Sequence, residues 1–292
     1  MVINHTQLVG RSIYCSEKLL CGGIILVAEI MENAFWIVVC LAASVCLCSC
    51  NTAADKYLDR CVDSKNHKST PGPEGKDFLG HCQPWTNHSC CTKDTASKIE
   101  ADGIFSLYSM VLDQCPKIKT MSDKCKRHFK KDTCFYECSP NLAPWIVDDN
   151  MSKKTRTERI MHIPLCSSDC DQWFEDCKFE YTCSGNWGNI SGWNWKKKGT
   201  VEMCKQPCKT FKEYYNNPKT FCEKIFNYSY KYGSSNSSEC LTMWPKSWKD
   251  NLPLARKYAL EKISKNPSGF SESIHPSWFQ MPLFMVLGIF LF

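Results

Sequence analysis

No G-x-S-x-G nucleophile elbow, no C-x-x-C metal knuckle and no run of basic residues interleaved with aromatics occurs in the 292-residue chain. Each absence removes a class of function. Without an elbow, and with only seven scattered His, hydrolytic catalysis has no recognisable machinery, and the chain reads as a non-enzyme. Three C-x-x-x-C pairs lie beyond the N-terminal apolar stretch (Cys134 and Cys138, Cys166 and Cys170, Cys204 and Cys208), but they have neither the spacing nor the interspersed His of a zinc site. No metal and no cofactor are therefore expected. The net charge of +6 is small, and the Lys and Arg are scattered, which argues against a nucleic-acid partner. The densest basic patch, "WNWKKKGT", reads as a solvated loop.

Long apolar runs are also scarce. "MENAFWIVVCLAASVCLCSC", from Met31, reads as the apolar core of a signal peptide, with small residues at Thr52 to Ala54 where cleavage would fall. Its n-region carries Glu32 where a basic residue is usual. Met1 to Ile30 then forms an upstream extension, with the working start at Met31. At the other end "MPLFMVLGIFLF", Met281 to Phe292, is too short to span a bilayer. It follows a polar spacer and the small residues of "PSGFSES", the layout of a signal for a glycolipid anchor attached near Gly269, with Ser268 and Ser271 as neighbouring candidates. The alternatives are an uncleaved N-terminal anchor and an amphipathic C-terminal tail.

What the chain has in abundance is cysteine: 22 residues, a density belonging to oxidised, secreted domains. Six of them lie in or before the N-terminal apolar stretch, leaving sixteen from Cys61 to Cys240. That even number suits eight disulfides with no thiol left over as a nucleophile. The spacing alone leaves their connectivity open. Five sequons in the expected mature chain, at Asn87, Asn150, Asn189, Asn227 and Asn236, mark a glycoprotein.

No linker, repeat or break in cysteine spacing interrupts the middle of the chain. The expected division is residues 1–54 as extension and signal peptide, 55–258 as one domain, and 259–292 as a polar stalk with the anchor signal. The expected class is α+β: a compact, disulfide-rich single domain of helices and short strands with long loops. "EADGIFSLYSMVLDQC" has helical spacing, as do "KCKRHFKKDTCFYEC" and "SSDCDQWFEDCKFEYTC", with Ser167 or Ser168 a cap for the last. "HSCCTKDT" and "SGNWGNISGWNW" read as loops.

Aromatic residues accumulate in the second half. Trp145 and Trp173 read as core, whereas Trp193 and Trp195, alternating in a Gly-flanked loop, suit an apolar slot for a flat ligand. Among these patterns "KRHFKKDTCFYECSPN" places one acid, Asp132, between basic residues and cysteines. On local spacing alone it could pair with Lys130 or Lys131.

The stretches "NHKSTPGPEGK", "CQPW", "CKRHFKKDTCFYECSPNLAPWI", "ERIMHIPLC", "DCDQWFEDC", "YTCSGNW", "GWNW" and "SYK" together resemble the folate receptor family, which also holds the egg riboflavin-binding proteins and the egg-surface sperm receptor Juno. The resemblance runs from about Leu58 to Tyr258 and takes in all sixteen cysteines. It implies a deep open pocket that takes the pteridine end of folic acid or a reduced folate inward. It also implies bridges Cys61–Cys90, Cys82–Cys134, Cys91–Cys138, Cys115–Cys208, Cys125–Cys177, Cys166–Cys240, Cys170–Cys222 and Cys183–Cys204.

By the same resemblance Asp132 binds the pterin's amino and ring nitrogens, as a carboxylate suits two parallel donors. Arg156, Arg159, Ser229 and Tyr230 hydrogen-bond the pterin, and Tyr108, Tyr136 and Phe226 form walls. Trp193 and Trp195 flank the aminobenzoate and glutamate. Departures fall at Thr155, Met110 and Leu112, where the family has aromatics. A further departure is "GNISG", an uncharged loop bearing the sequon at Asn189 where the family has a His and a Lys. The implied function is a glycolipid-anchored receptor on the plasma membrane that captures a folate and carries it into endosomes. Two alternatives are a Juno-like adhesion receptor that binds a sperm protein on another cell, and a riboflavin carrier.

Overall fold

The structure is a computed structural model that describes residues 52–75, 82–102, 105–108, 110–149, 157–188 and 206–266. The chain divides into two units, residues 1–57 and 58–292. Of the first, the described residues 52–57 are helical. All the other described residues belong to the second unit.

Seven helices, α1 (Lys93–Asp102), α2 (Phe105–Tyr108), α3 (Asp123–Cys138), α4 (Ser167–Cys177), α5 (Phe211–Tyr215), α6 (Pro218–Lys224) and α7 (Leu252–Lys265), organise the described residues of this unit. Eight short strands pair only in twos. β1 (His67–Gly72) runs antiparallel to β2 (Ser89–Cys91), β3 (Ile146–Asp148) to β4 (Glu158–Ile160), and β6 (Tyr181–Thr182) to β7 (Lys209–Thr210). β5 (Ile163–Leu165) and β8 (Tyr230–Tyr232) are parallel, pairing Ile163 with Tyr230. The architecture is α+β, with helices supplying most of the core.

The longest helix, α3, starts where Ser122 caps it by accepting from the Cys125 amide at 3.4 Å, and Asp123 complements the helix dipole. It stops at Ser139, which is extended because Pro140 follows. Its buried face carries three cysteines, bonded to three other parts of the chain: Cys125–Cys177 in α4, Cys91–Cys138 in β2 and Cys82–Cys134. Cys61–Cys90, Cys115–Cys208, Cys166–Cys240 and Cys170–Cys222 complete seven bridges among the described residues, each as the family resemblance implies. Cys183 is also disulfide-bonded, and Cys204, its expected partner, lies outside the described residues.

Around α3 the core is aromatic. Phe129 stacks on Trp187 at 4.5 Å and meets the edge of Trp173 at 5.2 Å, and Trp173 in turn packs on Phe221 at 5.1 Å. Trp173, Phe221 and Phe211 are fully buried, and Trp145 is nearly so, in line with the core reading of Trp145 and Trp173.

Local patterns misled in four places. The helix expected through Glu100–Cys115 is split into α1 and α2, and residues 110–115 are irregular. There the buried Gln114 accepts from the Thr182 hydroxyl at 2.7 Å and the Cys183 amide at 3.2 Å, and Asp113 accepts from the Met121 amide at 3.2 Å. Those long-range bonds hold side chains that an unbroken helix would carry elsewhere. "HSCCTKDT" is not a loop, because Ser89–Cys91 forms a fully buried strand pinned through both of its cysteines. The cap of α4 is Cys166, with no side-chain bond, so neither Ser167 nor Ser168 serves. Finally α7 runs through Tyr258 to Lys265, so the expected stalk is helical over residues 259–265.

One glycine has a steric role. Gly233 donates to the Leu165 carbonyl at 2.7 Å, and a Cβ there would meet that oxygen at 2.5 Å and Cys240 Cβ at 3.2 Å. Gly233→Ala is expected to force β8 away from β5 and to cost about 2 kcal/mol. The urea midpoint of the oxidised protein measures it, and an unchanged midpoint would show that the strand pair yields freely.

Candidate functional site

One face of α3 carries Phe129, Asp132, Thr133 and Tyr136, spaced i, i+3, i+4 and i+7, and this face floors a cleft. Tyr108 and Met110 form one wall. Arg159 and Ile160 of β4, Trp187 and Gly188, and Phe226, Ser229 and Tyr230 form the rest. The cleft encloses about 730 Å³ of empty space, its open mouth included. Its lining is mainly aromatic, with few polar groups, the usual character of a small-molecule site.

Asp132 is the acid at its floor, only 6% exposed. The Tyr230 hydroxyl donates to its Oδ1 at 2.6 Å. Burial pushes its carboxyl up to about 7, and the Tyr230 hydrogen bond pulls the other way without cancelling this. The same burial, with the facing carboxyl, drives the Tyr230 hydroxyl well above its ordinary value, so the tyrosine stays a donor. Asp132 thus has one oxygen fixed by Tyr230, and no ion pair to it occurs among the described residues. The lysine pairing does not occur: Lys130 donates to the Glu100 carbonyl at 2.8 Å, and Lys131 lies over the Trp244 ring at 5.7 Å.

Arg159, 8% exposed, fastens the adjoining turn. Its Nη2 donates to the Asn227 carbonyl and reaches the Phe226 carbonyl at 3.4 Å and Ser229 Oγ at 3.5 Å. Ser229 Oγ itself donates to the Phe226 carbonyl at 2.9 Å. This turn holds Asn227 and Tyr228 at φ of 50° and 61°, a left-handed region that Asn tolerates and Tyr rarely adopts. Strain of this kind persists where surrounding bonds over-determine it, and here the arginine does so.

A second buried carboxylate lies behind the wall. Glu137 accepts from the Tyr108 hydroxyl, and its other oxygen is 3.2 Å from His67 Nδ1. His67 Nε2 is 3.0 Å from the Tyr136 carbonyl, and a carbonyl only accepts, so Nε2 carries a proton. His67 and Glu137, with side chains about 1% and 0% exposed, therefore hold both tyrosine walls from behind.

The chain matches the model of the folate receptor family over residues 60–242. It is 39% identical over 220 residues to the folate receptor gamma of Homo sapiens, covering 74% of this chain and 86% of that one. With the folate receptor alpha of Bos taurus the identity is 41% over 222 residues, covering 74% and 88%. With the riboflavin-binding protein of Dromaius novaehollandiae it is 31% over 205 residues, covering 70% and 78%. The chain belongs to the folate receptor family. Its named relatives are receptors and binding proteins, which accords with the absence of catalytic motifs.

In this family member the cleft gathers Tyr108, Asp132, Tyr136, Arg159, Phe226, Ser229 and Tyr230, seven of the ten residues expected from the sequence. Arg156, Trp193 and Trp195 lie outside the described residues, as does the "GNISG" loop beyond Gly188. Sequence reasoning missed Phe129, Thr133 and Trp187 in the lining, and His67 and Glu137 behind it. The helical spacing around Asp132 could have found Phe129 and Thr133, whereas nothing local brings β1 to α3. Of the sequons, Asn87 and Asn236 are exposed, and Asn227 is half-buried with its Oδ1 accepting from Asn186 at 3.4 Å. Asn150 and Asn189 lie outside the described residues.

A carboxyl raised from 3.8 to about 7 means that the folded protein binds that proton more tightly than the unfolded chain. Its effect favours folding at acid pH, and that advantage is lost as pH rises from about 4 to about 7. Asp132→Asn, which keeps an acceptor for Tyr230, is expected to unfold at higher temperature than wild type. The gap should widen across that window and stay level above it, at a few kcal/mol. Thermal unfolding of both proteins over a pH series checks this. A gap that is constant with pH would mean that the carboxyl is already ionised in the free protein.

Proposed function

We propose that this protein is a cell-surface receptor that binds a folate-type pterin in the cleft, pterin end inward, and carries it into the cell by endocytosis. The observation that carries this reading is Asp132: a buried carboxyl with one oxygen on Tyr230, set among aromatic walls. A pterin presents a 2-amino group and a ring N–H side by side, two parallel donors for one carboxylate. Riboflavin's ring offers a single N–H between two carbonyls, which would set acceptors against the acid. The folate receptors among the relatives accord with the pterin reading. Anchoring through a glycolipid near Gly269 and glycosylation at the exposed Asn87 and Asn236 belong to the same proposal. No helix among the described residues is long and apolar enough to cross a membrane.

Folic acid is expected to quench tryptophan fluorescence of the purified protein at micromolar concentration, since Trp187 lines the cleft. Asp132→Ala should weaken binding by about a hundredfold or more, because it strands two ligand donors. Riboflavin should compete poorly. No quenching by folic acid in wild type, or equal affinity in the variant, would overturn the assignment.

The pH dependence follows from the same group. A pterin's donors hold the carboxylate ionised, whereas the empty site takes up a proton near pH 7. Binding must then expel that proton at lower pH, so affinity should fall below about pH 7 by up to tenfold per unit. Folic acid titrations from neutral pH down to about 5 measure it, and a flat profile would exclude Asp132 as the ligand's charged partner.

A further inference from the structure

A second concavity lies between α7 and the β5–β8 pair, and it shares no lining residue with the cleft. It is a long open groove of about 1560 Å³, most of it facing solvent. Its floor holds the half-buried Tyr232 and Tyr258, with the buried Trp145 packed against Tyr258 at 4.9 Å between ring centres. Its rim is cationic, with Lys257, Lys262 and Lys265 from α7 and Lys231 from β8, all exposed.

Some lysines of the domain find acids, as in Lys68–Glu74, Lys98–Asp94, Lys119–Glu180 and Lys124–Asp176, and others, such as Lys65 and Lys219, do not among the described residues. What marks the groove is that four exposed lysines converge on it. The four on this rim make no ion pair among the described residues, although Glu239 and Glu261 also line the groove. Four lysines against two glutamates leave a net +2. Compensation of the helix dipole accounts for Lys262 and Lys265 in the last turn. It does not account for Lys257, two turns earlier, or for Lys231 on a strand.

Seven disulfides place this domain in an oxidising compartment, outside the reach of nucleic acids. The polyanions found there are sulfated and carboxylated glycans. An aromatic floor offers a face for the apolar side of a sugar ring, and lysine ammoniums above it meet sulfates as point charges. We propose that this groove binds a sulfated glycosaminoglycan of the heparin class, at a site separate from the vitamin cleft.

The test uses full-length protein made in secretory cells, purified in detergent and applied to immobilised heparin. Wild type is retained at physiological salt, about 0.15 M, and elutes above it. The triple variant Lys257→Glu, Lys262→Glu, Lys265→Glu passes through at that salt. A matched variant, Lys65→Glu, Lys93→Glu, Lys219→Glu, makes the same charge change at exposed lysines off the groove and elutes close to wild type. Lys→Gln changes at the three α7 positions add no acid beside Glu261 and shift elution part of the way, which keeps the test sound if the Glu triple misfolds.

Wild type that flows through, or two Glu triples that shift alike, would overturn the site. Inorganic polyphosphate competing as well as a heparin oligosaccharide would show that the groove reads charge without sugar, and would overturn the glycan. Folic acid binding is measured in parallel and should be the same in wild type and both triples, so that failure of this site stays distinct from failure of the cleft.

Discussion

The three covalent ties of α3 are what the rest of the site depends on. Cys125, Cys134 and Cys138 fasten one helix to α4, to the segment at Cys82 and to β2, which fixes the helix's rotation as well as its position. Once that rotation is set, Phe129, Asp132, Thr133 and Tyr136 face a single space. A helix free to turn by one residue would swing the acid through about 100°. Two-stranded sheets could not impose this by themselves, since isolated strand pairs are marginal, and each disulfide is typically worth about 2 to 4 kcal/mol.

On that frame the site accepts a local cost. Asp132 is placed where its charge is poorly solvated, and its single bond to Tyr230 does not offset the loss. Walls held from behind by Glu137 and His67, and a turn clasped by Arg159, keep the cleft from collapsing onto the acid. The polar groups thus differ in surroundings: His67 and Glu137 face each other behind the walls, and Asp132 lines the cleft itself.

Most of the fold class and most of the site could be read from the sequence, for reasons that differ by residue. Cysteine content is compositional and marks the compartment directly. Asp132, Arg159, Ser229 and Tyr230 were legible because they sit in stretches resembling a known family, and the seven described bridges followed from the same resemblance. Where the reading rested on periodicity alone it was weaker. The segment from Glu100 to Cys115 has helical spacing, yet Gln114 bonds to Thr182 and Cys183 nearly seventy residues on and Asp113 bonds to the Met121 amide, and a pattern of apolar residues does not register such bonds. His67 was invisible for the same reason: its importance lies in a contact with Glu137, seventy residues away. The lysine groove assembles from a strand and a helix that no local window contains.

The bridges also order how this chain can be made. Each of the seven described bridges joins residues at least 29 apart, and the two longest-range of them, Cys115–Cys208 and Cys166–Cys240, span 93 and 74. As synthesis runs from the N-terminus, Cys61–Cys90, Cys82–Cys134 and Cys91–Cys138 can close first, seating α3 against the N-terminal part of the domain. Cys115 and Cys166 must wait as thiols until much later chain emerges. Cys90 and Cys91 are neighbours with different destinations, so an exchange of one for the other is a short step, and correcting it requires reopening a bond already formed. Maturation of this protein therefore passes through thiol exchange, and its folded yield should rise with the supply of isomerase.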